Sequence, residues 1–145
     1  MSVLVVERAR GSGRLLFDAS VWIAAESPGE RYSTYSRELV VESRRPAAAL
    51  DLTLYEVANA LGAKRRDALG ATVACRSVLR RCEKVLVRID AEMIEAIAEI
   101  AVEHGLTSYD AAYVAVARRN DWQLVSTDVR DLVSRGLAIT PDAAV

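Results

Sequence analysis

The sequence predicts one α/β domain, an α/β/α sandwich built on a central, mostly parallel sheet. Three observations carry this prediction. Short apolar runs at residues 15–17, 47–50, 85–87 and 122–126 alternate with segments of helical spacing, which calls for parallel strands covered by helices on both faces. Residues 111–117 (Ala-Ala-Tyr-Val-Ala-Val-Ala) are apolar or aromatic on every side, the pattern of a helix buried all round. A chain of 145 residues with 52% hydrophobic and 27% charged side chains suits a single folded core.

Taken in order, residues 3–6 are a β-prone run followed by Arg-Ala-Arg-Gly-Ser-Gly, a turn-like stretch. Residues 1–13 therefore read as an N-terminal extension or arm, with the domain spanning 14–145. Leu-Leu-Phe at 15–17 is a first strand that stops at Asp18-Ala-Ser20 and feeds a helical pattern over 21–25. Ser27-Pro-Gly29 breaks that helix. Residues 32–45 place Tyr35, Leu39, Val40 and Ser43 at helical spacing and end before Pro46. Residues 47–50 are a short strand. Residues 53–63 form a largely buried helix, with Leu54, Val57, Ala58 and Leu61 on one face and Lys64-Arg-Arg66 at its end. An amphipathic helix over 71–83 and a strand over 85–87 follow. Asp90 caps a helix to His104, with Met93, Ile94, Ile97, Ile100 and Ala101 as its apolar stripe and Gly105 as its stop. Thr107 opens the buried helix. Residues 122–126 form a strand, a short helix runs to Arg135, and residues 137–139 are a last strand-like run.

Composition excludes several classes. No apolar run approaches the roughly 20 residues of a membrane span. The opening Met-Ser-Val-Leu-Val-Val-Glu meets an acid too early for a secretory signal, so a cytoplasmic protein with no membrane partner is expected. The net charge of −1 gives no global basic field. Arginine outnumbers lysine 17 to 2, which offers planar forks for phosphate, although GC-rich coding or adaptation to heat gives the same skew. Cys75 and Cys82 lie about 10 Å apart along one helix, too far for a disulfide, and a single histidine (His104) argues against a Cys/His metal pair. His104, directly before Gly105, reads as a partner of the helix dipole.

Four isolated carboxylates remain. Asp18 and Asp128 each follow a short strand, where the carboxyl ends of a parallel sheet line a ligand crevice. Each also suits a helix N-cap. Asp110 is the one charge before Arg118 on the buried helix, and Thr107 with Asp110 resembles a capping box. Glu56 stands in an otherwise apolar helix beside Asn59 and Ala60; a buried acid there needs a partner, and the simpler alternatives are a salt bridge to an arginine or exposure on a solvated face. If the four converge, their repulsion calls for a divalent cation, and oxygen-only ligands favour Mg²⁺ or Mn²⁺ over zinc. Such a site hydrolyses phosphodiesters.

These segments carry a family resemblance. Leu-Phe-Asp18-Ala-Ser20, Leu-Tyr-Glu56-Val-Ala-Asn59-Ala-Leu, Leu-Thr-Ser-Tyr-Asp110-Ala-Ala-Tyr-Val-Ala-Val-Ala and Leu-Val-Ser126-Thr-Asp128 resemble, in order and spacing, the motifs of PIN-domain nucleases. The short single-domain VapC toxins of prokaryotic toxin–antitoxin pairs are the nearest in pattern, over about residues 14 to 140. The resemblance implies that Asp18, Glu56, Asp110 and Asp128 are the catalytic, metal-binding acids, and that Ser20, Asn59 and Ser126 support them by hydrogen bonds. It further implies an endoribonuclease acting on structured RNA such as tRNA or ribosomal RNA, a cognate antitoxin, a homodimer, and a first strand that is central in the sheet. Asp131, three after Asp128, departs from the pattern and is at most auxiliary. Arg65, Arg66, Arg118 and Arg119 are candidates for backbone contacts with RNA, but each also suits a solvated helix end. Trp22, Tyr109 and Tyr113 can stack on bases or fill the core. The rival reading is a PIN-like module that binds RNA or protein without turnover. A haloacid-dehalogenase-like phosphatase is disfavoured, because Asp18 is followed by Ala19 and Ser20 rather than by a second Asp two residues on.

Overall fold

A computed structural model describes residues 13–82 and 85–145. The β-prone run at 3–6 and all but the last residue of the arm lie outside the described residues. Four parallel strands form the sheet: β1 (Leu15–Phe17), β2 (Ala47–Leu50), β3 (Leu86–Val87) and β4 (Gln123–Val125), in the order β3-β2-β1-β4. The first strand is thus central, as the motif pattern implies. Leu15 pairs in register with Ala47 on one side and Gln123 on the other, and Leu16 with Ala48 and Leu124.

Strand periodicity divides the core in two. Leu15, Phe17, Ala47 and Ala49 face one layer, where they meet Val21, Trp22, Leu39, Val57, Leu61, Ala74 and Val78. Leu16, Ala48 and Leu50 face the other, against Met93, Ile97, Ile100 and the buried helix. Three alanines in β2, all buried, leave room for helices on both sides. Phe17 meets Trp22 edge to face at 5.8 Å, which anchors the helix that follows β1.

Helices α1 (Ala19–Ala25) and α2 (Ser33–Arg37) lie between β1 and β2; α2 continues as a π-helical stretch, Glu38–Glu42. Helix α3 (Asp51–Val57) begins directly at the end of β2 and widens into a second π-helical stretch, Ala58–Lys64. The helix therefore starts two residues before the predicted 53, and its second half does not keep α-helical spacing. Helix α4 (Ala68–Cys82) precedes β3. It holds both cysteines as free thiols, Cys82 buried and Cys75 half-buried. Helices α5 (Ala91–His104) and α6 (Ser108–Asn120) pack against each other on the second face. Asp90 caps α5 by accepting from Met93 N–H, and Gly105 closes it at φ 63°, a left-handed conformation that favours glycine. Every residue from Ala111 to Ala117 is buried, as the sequence pattern requires. After β4, a π-helical turn (Val129–Val133) and a short α7 (Pro141–Ala144) complete the described chain. The strand-like run at 137–139 is a single parallel bridge, Ile139 to Val125, extending β4's edge of the sheet.

Candidate active site

Because all four strands are parallel, Asp18 after β1 and Asp128 after β4 share the carboxyl rim of the sheet. Both are caps, as the simpler reading holds. Asp18 accepts at Oδ1 from Ser20 N–H (3.0 Å) and from the Ser20 hydroxyl. Asp128 accepts from Asp131 N–H at 3.0 Å. Capping occupies one oxygen of each carboxylate in these bonds.

A small network stitches the two strand ends together. Asp18 N–H donates to Val125 C=O (3.2 Å), Thr127 N–H to the Ser20 hydroxyl (2.9 Å), and Asp128 N–H to the buried Ser126 hydroxyl (3.0 Å). The Ser20 and Ser126 hydroxyl oxygens stand 3.4 Å apart. Asp18 and Asp128 are thus held by neighbouring, cross-linked turns.

The other two acids come from helices on opposite faces. Glu56 lies at the end of α3's regular turns and accepts at Oε1 from the Tyr113 hydroxyl at 2.8 Å. Asp110 opens α6, where the Thr107 hydroxyl accepts from Asp110 N–H at 3.2 Å. That cap uses the backbone of Asp110, and its carboxylate joins the acid cluster electrostatically.

Electrostatic influence runs between the four acids. Burial raises Asp18 to about 7; the Ser126 and Ser20 hydroxyls pull it back, while Asp110 and Glu56 push it further up. Burial likewise raises Glu56, against the Tyr113 hydrogen bond and with Asp110 adding to the rise. Asp110 is raised by burial, then by Asp128 and Asp131. Asp18, Glu56 and Asp110 therefore feel one another, and Asp110 links them to Asp128. Asp131 belongs to the same field. It also faces Arg135 at 4.0 Å, which marks it as a neighbour of the site with a part in its charge balance.

Among the described residues, no three His, Cys, Asp or Glu side chains form a ready-made metal-binding group. The fit to a hard divalent cation rests on donor chemistry: oxygen-only acids, raised in pKa by burial and by one another, with serines rather than lysines or arginines bonded to the most buried of them.

Ser20 and Ser126 stand where supporting residues were expected. Asn59 lies exposed on the π-helical stretch, and among the described residues its side chain makes no hydrogen bond to an acid. Tyr113 and Thr53 have hydrogen-bonding roles that the sequence pattern does not assign, since it offers Tyr113 only as a core or stacking aromatic. The available signal was spacing: Tyr113 is one turn beyond Asp110, and Thr53 one turn before Glu56. Trp22 is buried core, whereas Tyr109 is exposed. Arg65 donates to the Ser27 hydroxyl (2.8 Å) and Arg119 pairs with Glu92 (3.6 Å), both at the surface. Among the described residues, no helix is long and apolar enough to cross a membrane.

Comparison with known proteins agrees with this geometry. A family profile described as the PIN domain matches residues 15–134. The chain is 33% identical over 119 residues to the curated protein "Ribonuclease VapC3" of Pyrobaculum aerophilum, covering 79% of this chain and 89% of that one. It is 36% identical over 98 residues to "Exonuclease VapC9" of the same organism, covering 66% and 71% respectively. A solved structure, PAE2754 of Pyrobaculum aerophilum, matches with a TM-score of 0.69 at 28% identity, over 91% of this chain and 86% of that chain.

Proposed function

This chain belongs to the PIN-domain family, in its VapC group, and on that footing we propose that it is a Mg²⁺- or Mn²⁺-dependent endoribonuclease, the toxin of a toxin–antitoxin pair. The observation that carries the reading is the placement of Asp18 and Asp128 on one carboxyl rim, cross-linked through Ser20 and Ser126, with Asp110 and Glu56 within electrostatic reach. A buried acid and half-buried acids that repel one another destabilise the ligand-free fold, a cost that a bound cation offsets.

Asp18, Asp110 and Asp128 would hold the cation, with Glu56 beside them. When bound, such a cation supplies neutralising charge and Lewis acidity toward a phosphodiester and its attacking water. The chain's own residues do the rest. Ser20 bonds the Asp18 carboxylate and Ser126 accepts from the Asp128 backbone N–H, which fixes the two rim turns, so little reorganisation is needed as charge develops on the phosphate. Glu56, held at one oxygen by Tyr113, orients the attacking water with the other. In-line attack leaves a 5′-phosphate and a 3′-hydroxyl. The site works in the cytoplasm, in a homodimer that a cognate antitoxin holds inactive.

The test is cleavage of mixed tRNA and ribosomal RNA by antitoxin-free protein with Mg²⁺ or Mn²⁺. Discrete internal fragments, lost with EDTA and with Asp110→Asn, are expected. Release of mononucleotides from an end would replace the endonuclease reading with an exonuclease one, a distinction that the names of the two curated relatives make worth drawing. Absence of both cleavage and Mn²⁺ binding would overturn the catalytic reading and leave a binding module.

A further inference from the structure

Between α3 and α6 runs a chain of hydroxyls that ends on Glu56. Leu50 N–H, the last of β2, donates to Thr53 Oγ1 at 3.2 Å. Thr53 Oγ1 and the Tyr113 hydroxyl oxygen are 2.8 Å apart, and Tyr113 O–H donates to Glu56 Oε1 at 2.8 Å. A tyrosine has a single hydroxyl proton, and here it is given to Glu56. The Thr53–Tyr113 bond must then be donated by Thr53, whose oxygen is already accepting from Leu50. The chain has one direction, from backbone N–H through two hydroxyls to one carboxylate oxygen.

Thr53 is 0% exposed and Tyr113 1% exposed. At this buried contact Phe would fill the volume of Tyr113 with no polar atom to satisfy, whereas Val in place of Thr53 would leave the Leu50 N–H without its acceptor. Thr53 thus caps its helix, and the Tyr113 hydroxyl extends that cap into a directed bond to Glu56. Among the described residues, no other hydrogen bond to the Glu56 carboxylate is present.

We propose that Tyr113, set by Thr53, is a positioning residue that holds Glu56 at Oε1 and leaves Oε2 for the reaction. The inference rests on the nuclease reading above and names a function for two residues beyond the four acids. Neither touches substrate; both act through Glu56.

Turnover, RNA KM, Mn²⁺ affinity by calorimetry and melting temperature would be measured for wild type, Tyr113→Phe, Thr53→Val, Thr53→Ser, Glu56→Gln and Tyr113→Phe/Glu56→Gln. Loss of an outer partner of a metal-site acid typically lowers affinity or activity about 10- to 100-fold. Tyr113→Phe is expected to lower kcat in that range, to leave KM within about twofold, and to weaken Mn²⁺ binding. Thr53→Ser, which keeps the hydroxyl, should retain activity that Thr53→Val loses. In the Glu56→Gln background, Tyr113→Phe should cost no further Mn²⁺ affinity. If Tyr113→Phe misfolds, the Thr53→Ser and Thr53→Val pair still reads the chain. Wild-type kcat and Mn²⁺ affinity in Tyr113→Phe, with Glu56→Gln inactive, would overturn the positioning role alone. A wild type that neither binds Mn²⁺ nor cleaves RNA would overturn the nuclease reading, and the inference with it.

Discussion

Asp18→Asn should stabilise the metal-free protein while abolishing its activity. The Asp18 carboxyl is buried, and burial with the nearby charges of Asp110 and Glu56 raises it from 3.8 to about 7. An acid whose pKa is raised on folding binds its proton more tightly in the folded state. Its contribution is therefore fully present below about pH 3.8 and is lost as pH rises toward 7. A shift of about three units corresponds to about 4 kcal/mol at pH 8, falling to about 2 kcal/mol at pH 5. Asparagine keeps an acceptor for Ser20 and carries no charge. For a domain of this size, about 4 kcal/mol moves the melting point by the order of 10 °C. Thermal melts in EDTA should show Asp18→Asn well above wild type at pH 8, with the gap roughly halved at pH 5. Added Mn²⁺ should raise the wild type and leave the variant unmoved. Parallel melting curves across pH 5–8 would refute the argument that this acid is held in the fold against its own charge.

Two further outcomes follow from the geometry. Ser126→Ala removes the acceptor of Asp128 N–H and should lower stability by about 1–3 kcal/mol and RNA cleavage about 10- to 100-fold; an unchanged initial rate would separate Ser126 from the site. Leu16→Ala, in the central strand between Ala48 and Leu124, should cost about 2–5 kcal/mol in urea unfolding, and a loss below about 1 kcal/mol would contradict its place in the second core.

The legible parts of this chain were those written in periodicity and in strand-end chemistry. Residues 111–117 announce a helix buried all round because they offer no polar side to water. Asp18 and Asp128 stand out because a charge directly after a short apolar strand has few places to go. The separation of Leu15 and Phe17 from Leu16 into two cores follows from strand alternation alone. What stayed hidden lies where local pattern and tertiary contact part. The widened turns at Ala58–Lys64 and Glu38–Glu42 have no local signature, so Asn59, read at α-helical spacing beside Glu56, turns out to be exposed. Residues 137–139 have strand-like composition but meet β4 at one bridge. Tyr113 counts as an apolar residue in any helical pattern; its hydroxyl gains meaning only when α3 brings Thr53 and Glu56 against it.

The most direct test of the central claim is a crystal structure of the protein grown with MnCl₂, with diffraction recorded at the manganese edge. The account predicts an anomalous peak touching the carboxylates of at least two of Asp18, Asp110 and Asp128, and absent from Asp110→Asn. No peak, or one held by acids elsewhere on the surface, would contradict the assignment of these carboxylates to a single metal-dependent active site.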